Sequence, residues 1–384
     1  MSLAVEFLRR AGYHRIMSVS ETQSLSGALR DENAHTRHVR LLRVWLSAIA
    51  LLVVAMILVG GATRLTDSGL SITEWQPIVG IIPPLSNADW QAAFDAYKQI
   101  PEYTQVNRGM DLAGFKTIYW WEWAHRFLGR FIGLMFFVPF VAFWLAGYIP
   151  RALLPRLIGL FVLGGLQGVL GWYMVKSGLV DRIDVSQYRL AAHFGLAIVI
   201  LGYTLWLILG LGWTEKARAG ATGPSLVAGL VLLLVFLQLM AGAFVAGIDG
   251  GMGFNTWPLM NESVIPTGLG VLQPWYVNLF ENPLTVQFNH RMLGYAVVLA
   301  AVVQAVWLAC KPEAAYLRAS AWAVAILSLL QVALGIWTLL AFVPIELGLA
   351  HQAGAVAVFA SALYHFWRCV EVDAVSRDHT AARA

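Results

Sequence analysis

Long apolar runs separated by short polar stretches dominate the chain. Eight of them approach the length at which a helix crosses the hydrocarbon core, about 20 residues. They fall at 42–62, 125–147, 153–173, 191–211, 225–247, 290–309, 319–341 and 348–367. The runs are too long and too continuous for barrel strands, and lipid leaves backbone groups no other closed arrangement than helices. The pattern therefore predicts an all-α polytopic membrane protein with eight transmembrane helices. Two connections are long, 63–124 and 249–287. Inside the first, SNADWQAAFDAYKQI predicts a short amphipathic helix: Ser86 and Asp89 fit a capping box, and Trp90, Phe94 and Tyr97 recur at helical spacing. Long loops rich in Gly, Pro and Trp suit caps over a site better than plain linkers.

Composition and charge refine this picture. Hydrophobic residues make up 59% of the 384, and charged residues 12%, against about 25% in soluble domains. So few charges cannot cover a water-facing surface. The net charge of +4 serves orientation and is no nucleic-acid signal. Arg and Lys gather in the N-terminal segment, around Arg151 and Arg156, around Lys216 and Arg218, at Lys311 and Arg318, and after Arg368, while 249–287 has none. That bias puts both termini in the cytoplasm. The expected organisation is a basic cytoplasmic tail (1–40), a four-helix unit (41–211), a cytoplasmic linker (212–224), a second four-helix unit (225–367) and a cytoplasmic tail (368–384). The first 40 residues lack a continuous apolar core, which argues against a cleaved secretory signal. A disordered tail is the plainer reading, a mitochondrial presequence the other. Cys310 and Cys369 are too far apart for a CxxC pair and imply no disulfide framework.

The chain also repeats itself. HRFLG (125–129) matches HRMLG (290–294), GGLQGVLGWY (164–173) matches LLQVALGIWT (329–338), and LAAHFG (190–195) matches GLAHQAG (348–354). VGGATRLTDSG (59–69) is echoed more weakly by MAGAFVAGIDG (240–250). Each unit crosses an even number of times, so the two units run parallel: two pseudo-symmetric four-helix bundles related by an axis along the membrane normal.

Four of the nine histidines lie in the membrane region: His125, His193, His290 and His351. Each begins an even-numbered span, so all four fall near the outer face. The repeat maps His125 onto His290 and His193 onto His351. Ionisable side chains in a membrane need a partner or a purpose. Two pairs of neutral imidazoles on facing helices suit two haem-sized ligands, each held from both sides. Gly164, Gly165, Gly168 and Gly171 in the third span, with Gly129 and Gly133 in the second, would allow close packing and room for a flat macrocycle. Arg126 and Arg291 follow a histidine each. They could pair with haem propionates or snorkel to headgroups. The halves differ at Glu122, whose counterpart is Gln287. An acid three residues before His125, and only there, suggests chemistry in the first half and electron handling in the second. A plain interfacial glutamate is the bland alternative.

Taken together, GGATRLTDSGLSITEWQPIVGIIPP (60–84), WEWAHRFLGR (121–130), GGLQGVLGWYMVKSGL (164–179), RLAAHFGLA (189–197), the GIDGGMGFNTWPLM loop, FNHRMLGY (288–295) and LAHQAGA (349–355) resemble the heme A synthase family across all eight spans. The resemblance implies oxidation of the C8 methyl of heme O to a formyl group by successive hydroxylations and loss of water. It implies haem b on His290 and His351, substrate heme O facing His125 and His193, and Glu122 as the family's essential glutamate. It also implies an inner-membrane location with the histidine pairs near the periplasmic side. Heme O synthase and terminal oxidase assembly factors are the partners it suggests, and small-residue helix surfaces permit a homo-oligomer. The first outer loop has no cysteine, which matches the cysteine-free proteobacterial and mitochondrial class. Two readings compete with an oxidoreductase: a di-haem electron-transfer protein of cytochrome b type, and a haem transporter.

Overall fold

A computed structural model describes residues 19–76, 79–181, 183–211 and 223–381. Among these residues the fold is all α-helical, with one isolated bridge between Met260 and Ser263. Eight helices are long and apolar enough to cross a membrane. We call them spans one to eight: Val19–Leu65, Leu112–Leu145, Leu154–Asp181, Gln187–Gly210, Gly223–Gly247, Pro283–Ala309, Arg318–Leu340 and Ile345–Ala381.

Each span buries one face at helical spacing. Leu42, Leu46, Ile49, Val53 and Ile57 do so in the first, and Ala228, Val231, Val235, Leu239 and Ala243 in the fifth. Span one packs on spans two and four, and span three on spans two and four. Span five packs on six and eight, and span seven on six and eight. Spans four and five touch, as do eight and one and eight and four. One continuous apolar core runs through both halves.

Two sequence-based boundaries move, and one packing expectation changes. The N-terminal 40 residues are not wholly an unstructured tail, because the first helix already runs from Val19; residues 1–18 lie outside the described residues, as does most of the 212–224 linker. The second span starts at Leu112, not at 125. Asp111 caps it, accepting from the Gly114 N–H at 2.8 Å. Phe115, Ile118, Tyr119 and Glu122 then bury one face of this extension against the cap. The aromatic run before His125 is therefore helix, not loop. The stripe of Gly164, Gly165 and Gly168 is exposed, with open space where a Cβ would stand, so it forms no helix contact.

The first outer connection folds as expected. Asn87–Tyr97 is a helix with both hydrogen bonds of the Ser86–Asp89 capping box. Trp90, Phe94 and Tyr97 are buried against Phe115, Ile118 and Tyr119, a small aromatic core of its own. This cap stands directly on the extended second span.

Candidate functional site

The structure brings the four predicted histidines together in two pairs. The ring centroids of His125 and His193 are 6.5 Å apart and their planes cross at 75°. Those of His290 and His351 are 6.4 Å apart and cross at 76°. His125 lies well inside its helix, because that helix begins earlier than expected; the others lie within two turns of their starts. An axially ligated metal with bonds of roughly 2 Å to an imidazole on each side puts the two ring centroids about 6 Å apart. Both pairs fit that spacing. Among the described residues, no group of three or more His, Cys, Asp or Glu stands close enough to hold a bare metal ion.

Each histidine is seated on a glycine. A Cβ at Gly60 would come 3.4 Å from His125, one at Gly171 3.0 Å from His193, one at Gly242 3.1 Å from His290, and one at Gly335 2.7 Å from His351. Gly171 was among the glycines singled out from sequence; Gly60, Gly242 and Gly335 were not. Gly60 and Gly242 correct the weakest repeat. The halves align one residue away from the register that the sequence suggests, so that Gly60 meets Gly242 and Asp67 meets Asp249. Both aspartates have left-handed backbone, with φ of 47° and 51°.

Glutamines support the fourth-span and eighth-span histidines alike. Gln167 donates to the His193 carbonyl at 3.0 Å, and its Nε2 lies 3.3 Å from the ring Nε2. Gln331 donates to the His351 carbonyl at 2.7 Å and lies 3.0 Å from Nδ1.

Glu122 and Arg126 form a buried ion pair at 2.6 Å. The other Glu122 oxygen accepts from the Ser71 hydroxyl at 2.7 Å and the Ile72 N–H at 2.6 Å. Arg126 donates to the carbonyls of Ile72 and Glu74 at 2.7 and 3.0 Å. The second half repeats this clamp. Arg291 donates to Gln287 at 2.8 Å and to the carbonyls of Phe254 and Thr256 at 2.8 and 2.9 Å. Gln287 donates to the carbonyls of Gly250 and Gly253. The acid–amide difference thus has a local cause as well as any chemical one. The turn at 71–72 offers donors and needs a carboxylate, while the turn at 250–253 offers carbonyls and needs an amide. Glu122 directs its hydrogen bonds to this turn and to Arg126, none of them to His125.

The guanidiniums are correspondingly committed to the loops through their terminal nitrogens. One buried donor, Arg291 Nε, has no partner. Beside Arg126 lies a cavity of about 280 Å³, lined by Thr73, Glu74, Trp75, Trp172 and Lys176 among others. Trp172 follows Gly171, on which His193 rests, although neither His125 nor His193 itself lines the cavity.

At the C-terminal end of the first span, Arg64 ties the halves together. It binds Asp67 at 2.7 Å and Asp249 at 2.8 Å, lies 3.8 Å from Asp184, and donates to the Ala246 carbonyl at 3.0 Å. Burial holds the Asp67 carboxyl above its ordinary range despite Arg64 beside it. Asp67 and Asp184 belong to the first half, Asp249 and Ala246 to the second.

Residues 43–363 match the pattern of a family described as cytochrome oxidase assembly protein (COX15-CtaA). The chain is 56% identical over 324 residues to a protein named heme A synthase from Parvibaculum lavamentivorans, covering 84% of this chain and 93% of that one. It is 50% identical over 340 residues to a heme A synthase from Azorhizobium caulinodans (88% and 97% covered) and 49% identical over 326 residues to one from Nitrosospira multiformis (84% and 91% covered).

Proposed function

Because the chain belongs to the cytochrome oxidase assembly (COX15-CtaA) family, we propose that it is a heme A synthase, a membrane oxidoreductase that converts heme O to heme A with haem b as cofactor. The observation that carries the reading is the pair of matching histidine sites, at 6.5 and 6.4 Å. Family membership gives no support to a di-haem carrier of cytochrome b type.

The helix contacts support two parallel, pseudo-symmetric four-helix bundles, 41–211 and 225–367, each closing around one histidine pair. His290 and His351 hold haem b, and His125 and His193 face heme O. Bound haem b supplies one-electron chemistry at the second site. The chain's own residues do the rest. Gly60 and Gly171 let the imidazoles lie flat against their helices, which fixes where the substrate's ring methyl is presented. The Glu122–Arg126 pair ties the Ile72–Glu74 stretch to the helix carrying His125, walling the site from water. Three donors and no acceptor face Glu122, so its negative charge stands beside the first site alone, placed to steady an electron-deficient substrate. The cavity lined by Arg126 and Lys176 would take the substrate's carboxylate edge, and Arg291, whose Nε is free, would hold a carboxylate of haem b. The positive-inside bias places both termini in the cytoplasm and the pairs near the periplasmic side of the inner membrane. Heme O synthase and oxidase assembly factors are the partners that hand over so apolar a substrate and product, and a homo-oligomer is compatible with the small-residue helix faces.

The test is conversion of added heme O by the purified protein, followed by haem extraction. His290→Ala and His351→Ala should lose haem b. His125→Ala and His193→Ala should keep it and lose conversion. Glu122→Gln should keep haem b and lose conversion by about 100-fold or more, the usual scale for a charge or proton group at a reacting centre. Equal haem b loss from all four histidine variants would overturn the division of labour.

A further inference from the structure

The two sites share their histidine geometry but not the side chain beside the leading histidine. The halves can be superposed residue by residue here. Gly60 and Gly242 seat His125 and His290. Ile72 and Glu74 offer carbonyls to Arg126 as Phe254 and Thr256 do to Arg291. Asp67 and Asp249 turn the chain in the same conformation. In that register Met56 corresponds to Gln238, one turn before the seating glycine.

The contacts agree. A Cβ added to Gly129 would stand 3.0 Å from Met56 Cε, and one added to the equivalent Gly294 would stand 3.3 Å from Gln238 Nε2. The two side chains fill the same place against the same helix face. Their chemistry differs. Gln238 Nε2 lies 3.1 Å from Nδ1 and 3.3 Å from Nε2 of His290. A methionine carries neither an amide N–H nor an amide oxygen and grips no imidazole. The following histidines show no such difference, because Gln167 and Gln331 serve both. Of the four, His125 alone lacks a glutamine amide.

We propose that the Met56/Gln238 difference decides which site keeps its haem and which one releases it. This rests on the assignment above of haem b to the second half and heme O to the first. Gln238 is a positioning residue: with its amide turned so that the now unpartnered Oε1 accepts the ring N–H, it fixes the orientation of the His290 ring, as groups behind a ligating histidine do, and their loss typically weakens metal binding about 10- to 100-fold. Met56 leaves the His125 ring without that restraint. A site that must discharge product at every turnover needs the weaker hold, and a site that keeps a cofactor needs the stronger.

The experiment loads the full-length protein in nanodiscs with two equivalents of haem b and follows transfer to excess apomyoglobin. Wild type should release in a fast and a slow phase. Gln238→Met should speed the slow phase about 10- to 100-fold and shift the midpoint potential of that haem. Gln238→Glu, which keeps a polar partner at the ring, should restore slow release. Met56→Gln should slow the fast phase by a similar factor. The two side chains are similar in length and stand against equivalent glycines, and circular dichroism of each variant checks its fold. If His290→Ala abolishes the slow phase while Gln238→Met leaves its rate and potential unchanged, this inference is wrong and the site assignment stands. If His290→Ala keeps the slow phase, the assignment falls and the inference with it.

Discussion

A glycine under each imidazole is what lets four bulky rings lie flat in a crowded bundle. The tightest case is Gly335, where an added Cβ would stand 2.7 Å from His351 Cε1. Overpacking of this kind costs about 1–3 kcal/mol and is relieved by moving the softest neighbour, here a ring whose direction is its function. Gly335→Ala should therefore lose haem b, seen as loss of the low-spin absorption bands, while the protein stays helical. Gly171→Ala, the same change under His193, should keep haem b and lose heme O conversion. Loss of haem b from both variants in equal measure would contradict the separation of the sites. At this scale the sequence is half legible. HRFLG against HRMLG and AHFG against AHQAG expose the histidines, because polar residues in apolar runs stand out. Gly60 is hidden: it precedes a second glycine, and the neighbouring repeat is too worn to choose between them. Met56 and Gln238 carry no motif at all. Only contacts with Gly129 and Gly294 show that they share one place.

Among the elements, the outer cap was the most readable and the helix beneath it the least. Ser86 and Asp89 announce a helix start through local chemistry, which needs no tertiary context. The extension at 112–124 gives no comparable signal. Its aromatic residues suit a membrane interface as well as a helix face, and only packing against Trp90, Phe94 and Tyr97 decides for helix. The same cap holds an unusual acid. Glu102 is 3% exposed and accepts from the Tyr97 hydroxyl at 2.8 Å, with the Asn107 amide 3.3 Å away. Burial raises its pKa from 4.5 to about 8. Between those values the folded cap binds a proton that the unfolded cap does not, so stability falls as pH rises. The contribution is complete below the unfolded value and lost as pH passes the folded one. Hydrogen exchange across 87–107 should accelerate steadily from about pH 5 to about pH 8 and then level off. Glu102→Gln should flatten that slope. A wild-type cap whose protection rises over the same range would show the carboxyl to be ionised there.

For the molecule as a whole, the question is what keeps two similar halves in one fixed relation. Apolar packing alone does this poorly within lipid, where tails are as apolar as leucine and helix association relies on close fit and hydrogen bonds. Polar ties cross the junction at three places, one of them the Tyr188 hydroxyl of the fourth span donating to Glu281 at 2.8 Å. Gln352 of the eighth span donates to the Ile57 carbonyl of the first at 3.0 Å, reaching over Gly61. Arg64, its own side chain only 14% exposed, joins Asp67 of the first half to Asp249 of the second. Its carboxylate partners are roughly half exposed, so its loss should cost about 2 kcal/mol, between the surface and the buried limits for an ion pair. The functional effect should be larger than the structural one. On the proposed assignment the haem b site serves the substrate site across this junction, so their separation should stay fixed, and neither site uses Arg64 as a ligand. Arg64→Met should therefore bind haem at both sites with unchanged spectra, melt a few degrees lower, and convert heme O more slowly. A variant that melts lower but turns over at the wild-type rate would show that the junction holds the fold and not the path between the haems.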